Sequence, residues 1–324
     1  MEDATLLDRR LLIVSGKGGT GKSTVAAALA VAGARSGRRT ALVELEGRQA
    51  FARLLDTEPW GFAAREYRPG LWGLSIDPEA SLGEYLERFY GGRRLSRLLA
   101  SSAAAEFATA VAPGVKDLLL IGKVMDLERA RDLAGRFRYD LLVVDAPPTG
   151  RITSFLRAPE VTTELVGVGP IREQAQQVVD LLGDGRRTHV QLVTLLEEMP
   201  VSETIAGATA LEALGVTLGP VLVNRVLPGR FDAESRKALT EDLGSAEVAA
   251  ILADAGIDVG AAAAADLRAL GLRQLHRLEL QERMRALLAR SLQLARLELP
   301  DVHSDEFGPR EVAELARRVQ EAVA

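Results

Sequence analysis

The sequence predicts an α/β fold: a doubly wound, mainly parallel sheet flanked by helices. The main support is a set of near-continuous apolar runs, such as LLIV at 11–14 and YDLLVVD at 139–145, which are typical of strands buried on both faces of a sheet. Segments with apolar residues at helical spacing separate these runs, as expected when helical crossovers join parallel strands. The alternation continues along all 324 residues, so we expect one domain over 1–324.

Each element is predicted from its local pattern. Strands are predicted at the apolar runs 11–14, 40–45, 71–76, 139–145, 189–195, 219–224 and 294–300. Helices are predicted at 23–37, over most of 78–137, and at 151–185, 202–215, 272–295 and 309–322. We expect the helices of about 78–137 and 151–185 to form an inserted helical subdomain. The Ala- and Gly-rich stretch 244–271 fits either a packed helix or a mobile segment.

Composition excludes several classes of site. The chain has no cysteine, which excludes disulfides, thiolate zinc sites, iron–sulfur clusters and cysteine-ligated arsenite. We therefore expect no zinc. The net charge of −5 argues against a nucleic-acid partner. The charged start MEDATLLDRR is unlike a signal peptide, and no apolar run reaches 18 residues, so we expect a cytoplasmic protein.

The loop between the first strand and the first helix carries a phosphate-binding motif. GKGGTGKS at 16–23 fits G-x-x-x-x-G-K-[ST] in the strand-to-helix context that this motif requires. Glycines let successive N–H groups point inward, and the helix that follows presents its positive end to an anion. We expect a P-loop domain that binds ATP and Mg²⁺, with Lys22 on the β- and γ-phosphates and Ser23 on the metal. The candidate nucleotide ligands are Gly16, Gly18, Gly19, Thr20, Gly21, Lys22, Ser23 and Thr24.

A second lysine in this loop points to a particular class. GKGGTGKST resembles the deviant Walker A loop of the arsenite-pump/tail-anchor-targeting, septum-site and plasmid-partition ATPases. The resemblance implies that Lys17 is the signature lysine, which reaches across a dimer interface to the phosphates of the other subunit. It implies a homodimer, or a heterodimer with a paralogous ATPase. The alternative is a solvated loop lysine.

The segment after the strand at 139–145 narrows the resemblance. Asp145 ends this strand, where a carboxylate would hold Mg²⁺ through water, although an aspartate that caps the next turn is the alternative. DAPPTG at 145–150 resembles the switch II segment of the arsenite-pump/tail-anchor branch and is unlike the partition or septum branches. Arg151 stands where that family has histidine, so a role that depends on the imidazole does not carry over.

Two further positions are carried over from the family. In VELEGRQ at 43–49, Glu46 takes the place of the aspartate that positions the attacking water, one methylene longer. The alternative is a surface glutamate that caps the next short helix. Asn224 ends the strand at 219–224, where the family has an asparagine that reads adenine; a turn-forming asparagine is the alternative.

The resemblance covers most of the chain and is greatest to the bacterial, actinobacterial-type branch, often named anion-transporting ATPase. It implies a Mg-ATP-dependent dimeric ATPase whose closure is coupled to a client, such as a hydrophobic or membrane-protein segment. The helices of 78–137 and 151–185 would hold that client. One alternative is a poorly hydrolysing, nucleotide-binding regulatory partner in a heterodimer. The other is a soluble subunit of an anion transporter.

Overall fold

The computed structural model describes residues 6–90, 114–165, 168–229, 231–241 and 243–323. Its strands are β1 (Leu11–Gly16), β2 (Thr40–Leu45), β3 (Arg65–Arg68), β4 (Leu71–Ile76), β5 (Leu141–Asp145), β6 (Thr188–Thr194), β7 (Val221–Val226) and β8 (Arg296–Pro300). They form an eight-stranded sheet in the order β3-β4-β2-β5-β1-β6-β7-β8. All neighbours are parallel except β3, which runs antiparallel to β4 at one edge. The predicted α/β fold is confirmed.

Helices cover both faces of this sheet. Within the described ranges they are α1 (Lys22–Arg35), α2 (Ala50–Leu54), α3 (Pro78–Tyr90), α4 (Val115–Arg129), α5 (Thr149–Leu165), α6 (Pro170–Gly183), α7 (Glu198–Ala213), α8 (Ala233–Thr240), α9 (Ser245–Asp254), α10 (Ala261–Ser291) and α11 (Pro309–Val323). Helices α1 and α11 pack together on one face, whereas α4, α5, α6 and α7 contact strands from the other. No described helix is both long and apolar enough to cross a membrane.

Strand β1 shows why continuous apolar runs predicted the buried strands. Leu12 and Val14 belong to the apolar cluster beneath α1 and α11. Leu11 and Ile13 belong to the cluster on the opposite face. Successive side chains of a strand point to opposite faces, so a strand covered on both sides needs an apolar residue at every position. Because the parallel strands run in the same direction, their carboxyl ends lie at one edge of the sheet. The loops that follow these strands lie close together there.

Two stretches differ from their predicted structure. Helix α10 begins at Ala261 rather than 272, because the alanine-rich stretch has high helix propensity. The open prediction for 244–271 is resolved as α9 and the start of α10, which pack together. In the stretch 78–137, predicted to be mostly helical, α4 ends at Arg129, since the Asp132 carboxylate accepts from the Ala134 and Arg136 N–H groups and forms a turn. Residues 91–113 of that prediction lie outside the described residues.

The predicted helical subdomain corresponds to α3, α4, α5 and α6. Helix α4 contacts the other three, and α5 packs on α6. The division of the chain into one domain with this subdomain stays a prediction. Edge strand β3 was not predicted, because its sequence REYR is polar and largely exposed and so carries no apolar signal.

A buried carboxylate ties α4 to the beginnings of β1 and β6, at the edge of the sheet opposite the loop that follows β1. Glu128 is fully buried. Its Oε1 accepts from Arg10 Nε at 2.7 Å, and its Oε2 accepts from an Arg187 guanidinium nitrogen at 2.6 Å. Its backbone carbonyl accepts a second Arg10 bond at 2.6 Å. Both carboxylate oxygens are thus satisfied by cations, which is what a buried charge requires.

Candidate nucleotide site

The loop at 16–21 joins β1 to α1 at the edge where the parallel strands end. Two of its glycines are required by their surroundings. At Gly21, φ is +85°, and an added Cβ would collide with the Asn224 amide. At Gly16, an added Cβ would collide with the Val193 carbonyl oxygen of the neighbouring strand. Gly18 and Gly19 are exposed, with nothing near their Cβ positions, so this part of the loop is open to a ligand.

Lys22 lies inside this loop. Its Nζ donates to the Lys17 carbonyl oxygen at 3.2 Å, and the residue is only 9% exposed. Burial lowers the pKa of Lys22, and the nearby Asp145 offsets this only in part. An ammonium group that is largely shielded from water and lies at a helix N-terminus attracts an anion more strongly than a fully hydrated ammonium does. The loop and Lys22 together suit a phosphate group.

Ser23 and Asp145, the two predicted metal residues, lie in contact. Ser23 Oγ donates to Asp145 Oδ2 at 2.6 Å. Asp145 is 2% exposed, and its Oδ1 has no hydrogen-bond partner among the described residues. Burial raises the pKa of Asp145, and the hydrogen bond from Ser23 opposes this only in part. A buried carboxylate with a free oxygen beside a hydroxyl fits Mg²⁺, which favours oxygen ligands and retains its waters.

The described residues hold no protein cage for a metal ion. Within them, no group of three or more His, Cys, Asp and Glu side chains is placed to bind one. Mg²⁺ at Ser23 and Asp145 would therefore depend on the nucleotide phosphates for further ligands, as is usual for this ion in ATPase sites.

The remaining loop contacts hold its shape. Thr20 Oγ1 donates to the Lys17 carbonyl oxygen at 2.9 Å. Asn224 is buried, and its Nδ2 donates to the Thr20 carbonyl oxygen at 2.9 Å. Asn224 is thus a support for the loop, a contact that its position at a strand end did not predict. Thr24 is half-buried in the first turn of α1.

The Lys17 side chain lies apart from that of Lys22. Its ammonium donates to Glu203 Oε1 on α7. The other oxygen of Glu203 accepts from Thr149 Oγ1, at the start of α5, at 3.1 Å. The side chains of Lys17 and Glu203 are 29% and 36% exposed, so this pair borders solvent. Glu203 was not predicted as a site residue; it falls within the helix predicted at 202–215.

Glu46 is surrounded by cations. Its Oε1 lies 3.1 Å from Lys116 Nζ on α4 and 3.3 Å from an Arg151 nitrogen on α5. Its Oε2 lies 3.5 Å from Arg48. Burial would raise the pKa of Glu46, but the hydrogen bonds and charges of Lys116 and Arg151 outweigh it and lower the pKa. Glu46 and Arg151, the two departures from the family pattern, thus contact each other.

Arg151 and Glu44 are charged residues near Glu46, and each has its own contacts. The second Arg151 nitrogen lies 3.3 Å from Asp117 on α4, so Arg151 bridges two carboxylates. Glu44 is buried and accepts from the Ala50 N–H at 2.6 Å and the Gln49 N–H at 2.8 Å. The alternative role considered for Glu46, capping the next short helix, therefore belongs to Glu44. Lys116 and Asp117 were missed because only the fold brings them to Glu46.

Comparison with known proteins shows the family of the chain. The anion-transporting ATPase family model matches residues 9–174 and 168–242. The chain is 40% identical over 299 residues to ATPase BagA of Mycobacterium tuberculosis, which covers 90% of this chain and 87% of that protein. It is 27% identical over 237 residues to the arsenical pump-driving ATPase of Escherichia coli, covering 67% of this chain and 39% of that protein. The mycobacterial relative agrees with the predicted actinobacterial-type branch. The chain therefore belongs to the anion-transporting ATPase family.

Proposed function

We propose that this chain is a Mg-ATP-dependent ATPase that works as a dimer, in which Lys17 of each subunit serves the nucleotide of the other. One observation carries the proposal: the two lysines of one loop point to different places. Lys22 Nζ is held inside the loop, whereas the Lys17 ammonium lies on α7 at the border of solvent. A cation placed outside its own loop is suited to meet transition-state charge on a second subunit, as an arginine finger does.

The roles of the other residues follow from their positions. The loop N–H groups and Lys22 would hold the β- and γ-phosphates. Ser23 Oγ and Asp145, the latter through water, would hold Mg²⁺, which neutralises phosphate charge when bound. Glu46 would accept a hydrogen bond from the attacking water and so orient it. Thr20, Thr24 and Asn224 would hold the loop and the first turn of α1 in the position that the nucleotide requires.

A client is part of the proposal. Helices α3, α4, α5 and α6 line a cavity of about 840 Å³. Its lining combines apolar side chains such as Leu118 and Ile171 with charged ones such as Lys123 and Glu173. This mixture supports a client with both apolar and polar groups, for example a hydrophobic segment with charged flanks.

The proposal predicts that ATP turnover per chain depends on protein concentration. Turnover should rise with concentration and reach a plateau, because the site is complete only in the dimer. Sedimentation velocity with and without ATP, over the same concentrations, should show dimers forming where turnover rises. ATP binding should already occur where the chain is monomeric, since the loop, Lys22 and Asp145 belong to one chain. Turnover per chain that is constant over a range where sedimentation shows monomers becoming dimers would contradict the proposal.

A second candidate is a weakly hydrolysing regulatory partner in a heterodimer. The observation in its favour is that three cations contact the Glu46 carboxylate. A carboxylate engaged in this way is a weak acceptor for a hydrogen of water. This candidate predicts ATP binding with near-zero turnover at all concentrations, and restored turnover when a paralogous chain is added.

Under the second candidate, Arg151→Gln should raise the turnover of the chain alone by about two- to fivefold. The variant removes one of the cations that lower the Glu46 pKa, so this pKa rises and the carboxylate becomes a better acceptor at neutral pH. The acid limb of the pH–rate profile should shift to higher pH, because the carboxylate is then protonated earlier as pH falls. Arg157→Gln, at an exposed arginine of the same helix, is the control. A fall in turnover would show that Arg151 assists hydrolysis and would remove the support for this candidate.

A further inference from the structure

The contact between Lys17 and Glu203 has a consequence for the dimer. The ammonium that would serve the second subunit is paired with a carboxylate of its own chain. The pair is only partly exposed, and the hydrogen bond from Lys17 lowers the pKa of Glu203, so the carboxylate is ionised at neutral pH. Phosphates of another subunit would have to share this ammonium with the Glu203 carboxylate, which repels them. The two anions therefore compete for Lys17.

Glu203 also contacts the segment that follows Asp145. Its Oε2 accepts from Thr149 Oγ1, four residues after Asp145 and at the first position of α5. The Thr149 methyl group packs near Gly207, one turn further along α7. One carboxylate thus connects the signature lysine to the segment that carries the candidate metal ligand. A change at Asp145 when nucleotide and metal bind would reach Glu203 through Thr149.

The backbone of Lys17 supplies a second connection. Its carbonyl oxygen accepts from both Lys22 Nζ and Thr20 Oγ1. Phosphates that take up Lys22 Nζ would remove the first of these bonds. Nucleotide binding would therefore act on Lys17 from its backbone as well as through its side-chain partner.

We propose that Glu203 is a positioning residue that holds Lys17 on its own subunit, and that a nucleoside triphosphate on a second copy of this chain competes with Glu203 for the Lys17 ammonium. The inference rests on the proposed function, since it requires that Lys17 act across a dimer. Glu203 then sets the protein concentration at which the dimer becomes active. It contacts neither nucleotide nor metal.

The test compares Glu203→Gln with the wild-type chain. Glutamine keeps the shape of the side chain and an oxygen for Thr149 but removes the charge. Glu212→Gln, at an exposed glutamate on the same helix, is the matched control. We expect Glu203→Gln to reduce the concentration for half-maximal turnover by about two- to fivefold, as expected for an exposed ion pair, and the control to leave it unchanged. Adding Lys17→Ala to Glu203→Gln should abolish this gain.

A second measurement tests the contact without the dimer. The chain has five lysines, so amine acylation of the dilute, nucleotide-free chain can be followed by mass spectrometry at each one. Loss of the carboxylate should speed acylation of Lys17, with the exposed Lys237 as internal reference. If Lys17 is acylated at the same rate in Glu203→Gln and the wild-type chain, the contact between Lys17 and Glu203 is overturned. If acylation is faster but the protein concentration for half-maximal turnover is unchanged, the competition between Glu203 and the nucleotide is overturned. If wild-type turnover does not depend on concentration at all, the proposed dimeric function fails first.

Discussion

Replacement of Lys17 by alanine is expected to reduce ATP turnover by about 10³-fold while ATP binding changes little. The reason is that the Lys17 side chain contributes nothing to its own loop: its ammonium lies on α7, and only its backbone carbonyl contacts Lys22 and Thr20. Alanine keeps that carbonyl. A residue that reaches the phosphates only across the dimer affects turnover by the dimer and not the affinity of the monomeric chain for ATP.

The measurement is the turnover number at saturating ATP together with an equilibrium dissociation constant for ATP. Lys237→Ala is the control, because Lys237 is an exposed lysine whose partner, Glu241, lies on its own surface segment. Parallel losses of binding and turnover in Lys17→Ala would place Lys17 in its own nucleotide site. That result would contradict the trans role.

Glu128→Gln is expected to lower the free energy of unfolding by about 3 to 5 kcal/mol, without a direct effect on nucleotide contacts. Glu128 is fully buried between Arg10 and Arg187, at the end of the sheet opposite the loop. Glutamine cannot neutralise either guanidinium, and its NH₂ group would face a cation. The expected loss of stability is large because the variant removes the buried carboxylate and leaves both guanidinium groups without their counter-ion.

The measurement is urea unfolding of the wild-type chain and of Glu128→Gln. The slope of the unfolding free energy against urea concentration should be equal for both, which shows that unfolding exposes the same surface. Glu298→Gln is the matched control: Glu298 pairs with Arg285 at 2.6 Å, but both side chains are about one-third exposed. We expect a loss of about 1 kcal/mol or less there. Equal losses for the two variants would show that burial does not set the strength of the Glu128 cluster.

The sequence predicted the features that are set by residues close together in the chain. Strand β4 was found at its true bounds because four of its six residues are large apolar ones and the strand is largely buried. The loop between β1 and α1 was placed correctly because its motif, GKGGTGKS, is contiguous in the sequence. The start of α10 was missed, since an alanine stretch has helix propensity but little amphipathic pattern. The turn after α4 was missed because it depends on hydrogen bonds of one aspartate.

The partners of the site residues were beyond prediction for a different reason. Lys17 and Glu203 are separated by 186 positions, and Arg151 and Glu46 by 105. Such pairs are set by how helices pack on the sheet, which no local pattern encodes. The pairing of Glu46 with Arg151 also places two departures from the family's switch segments in contact. A carboxylate with a longer side chain and a cation in place of histidine form one ion pair.

The most direct measurement is complementation between two inactive chains, one carrying Lys17→Ala and the other Asp145→Asn. In a mixed dimer, the first chain keeps Lys22 and Asp145 and would receive Lys17 from its partner. If Lys17 acts in trans, the mixture should recover turnover, up to about a quarter of the wild-type value when the chains pair at random. If Lys17 acts within its own subunit, each chain of the mixed dimer lacks one needed residue. No recovery, with mixed dimers shown by native mass spectrometry to form, would contradict the trans role of Lys17.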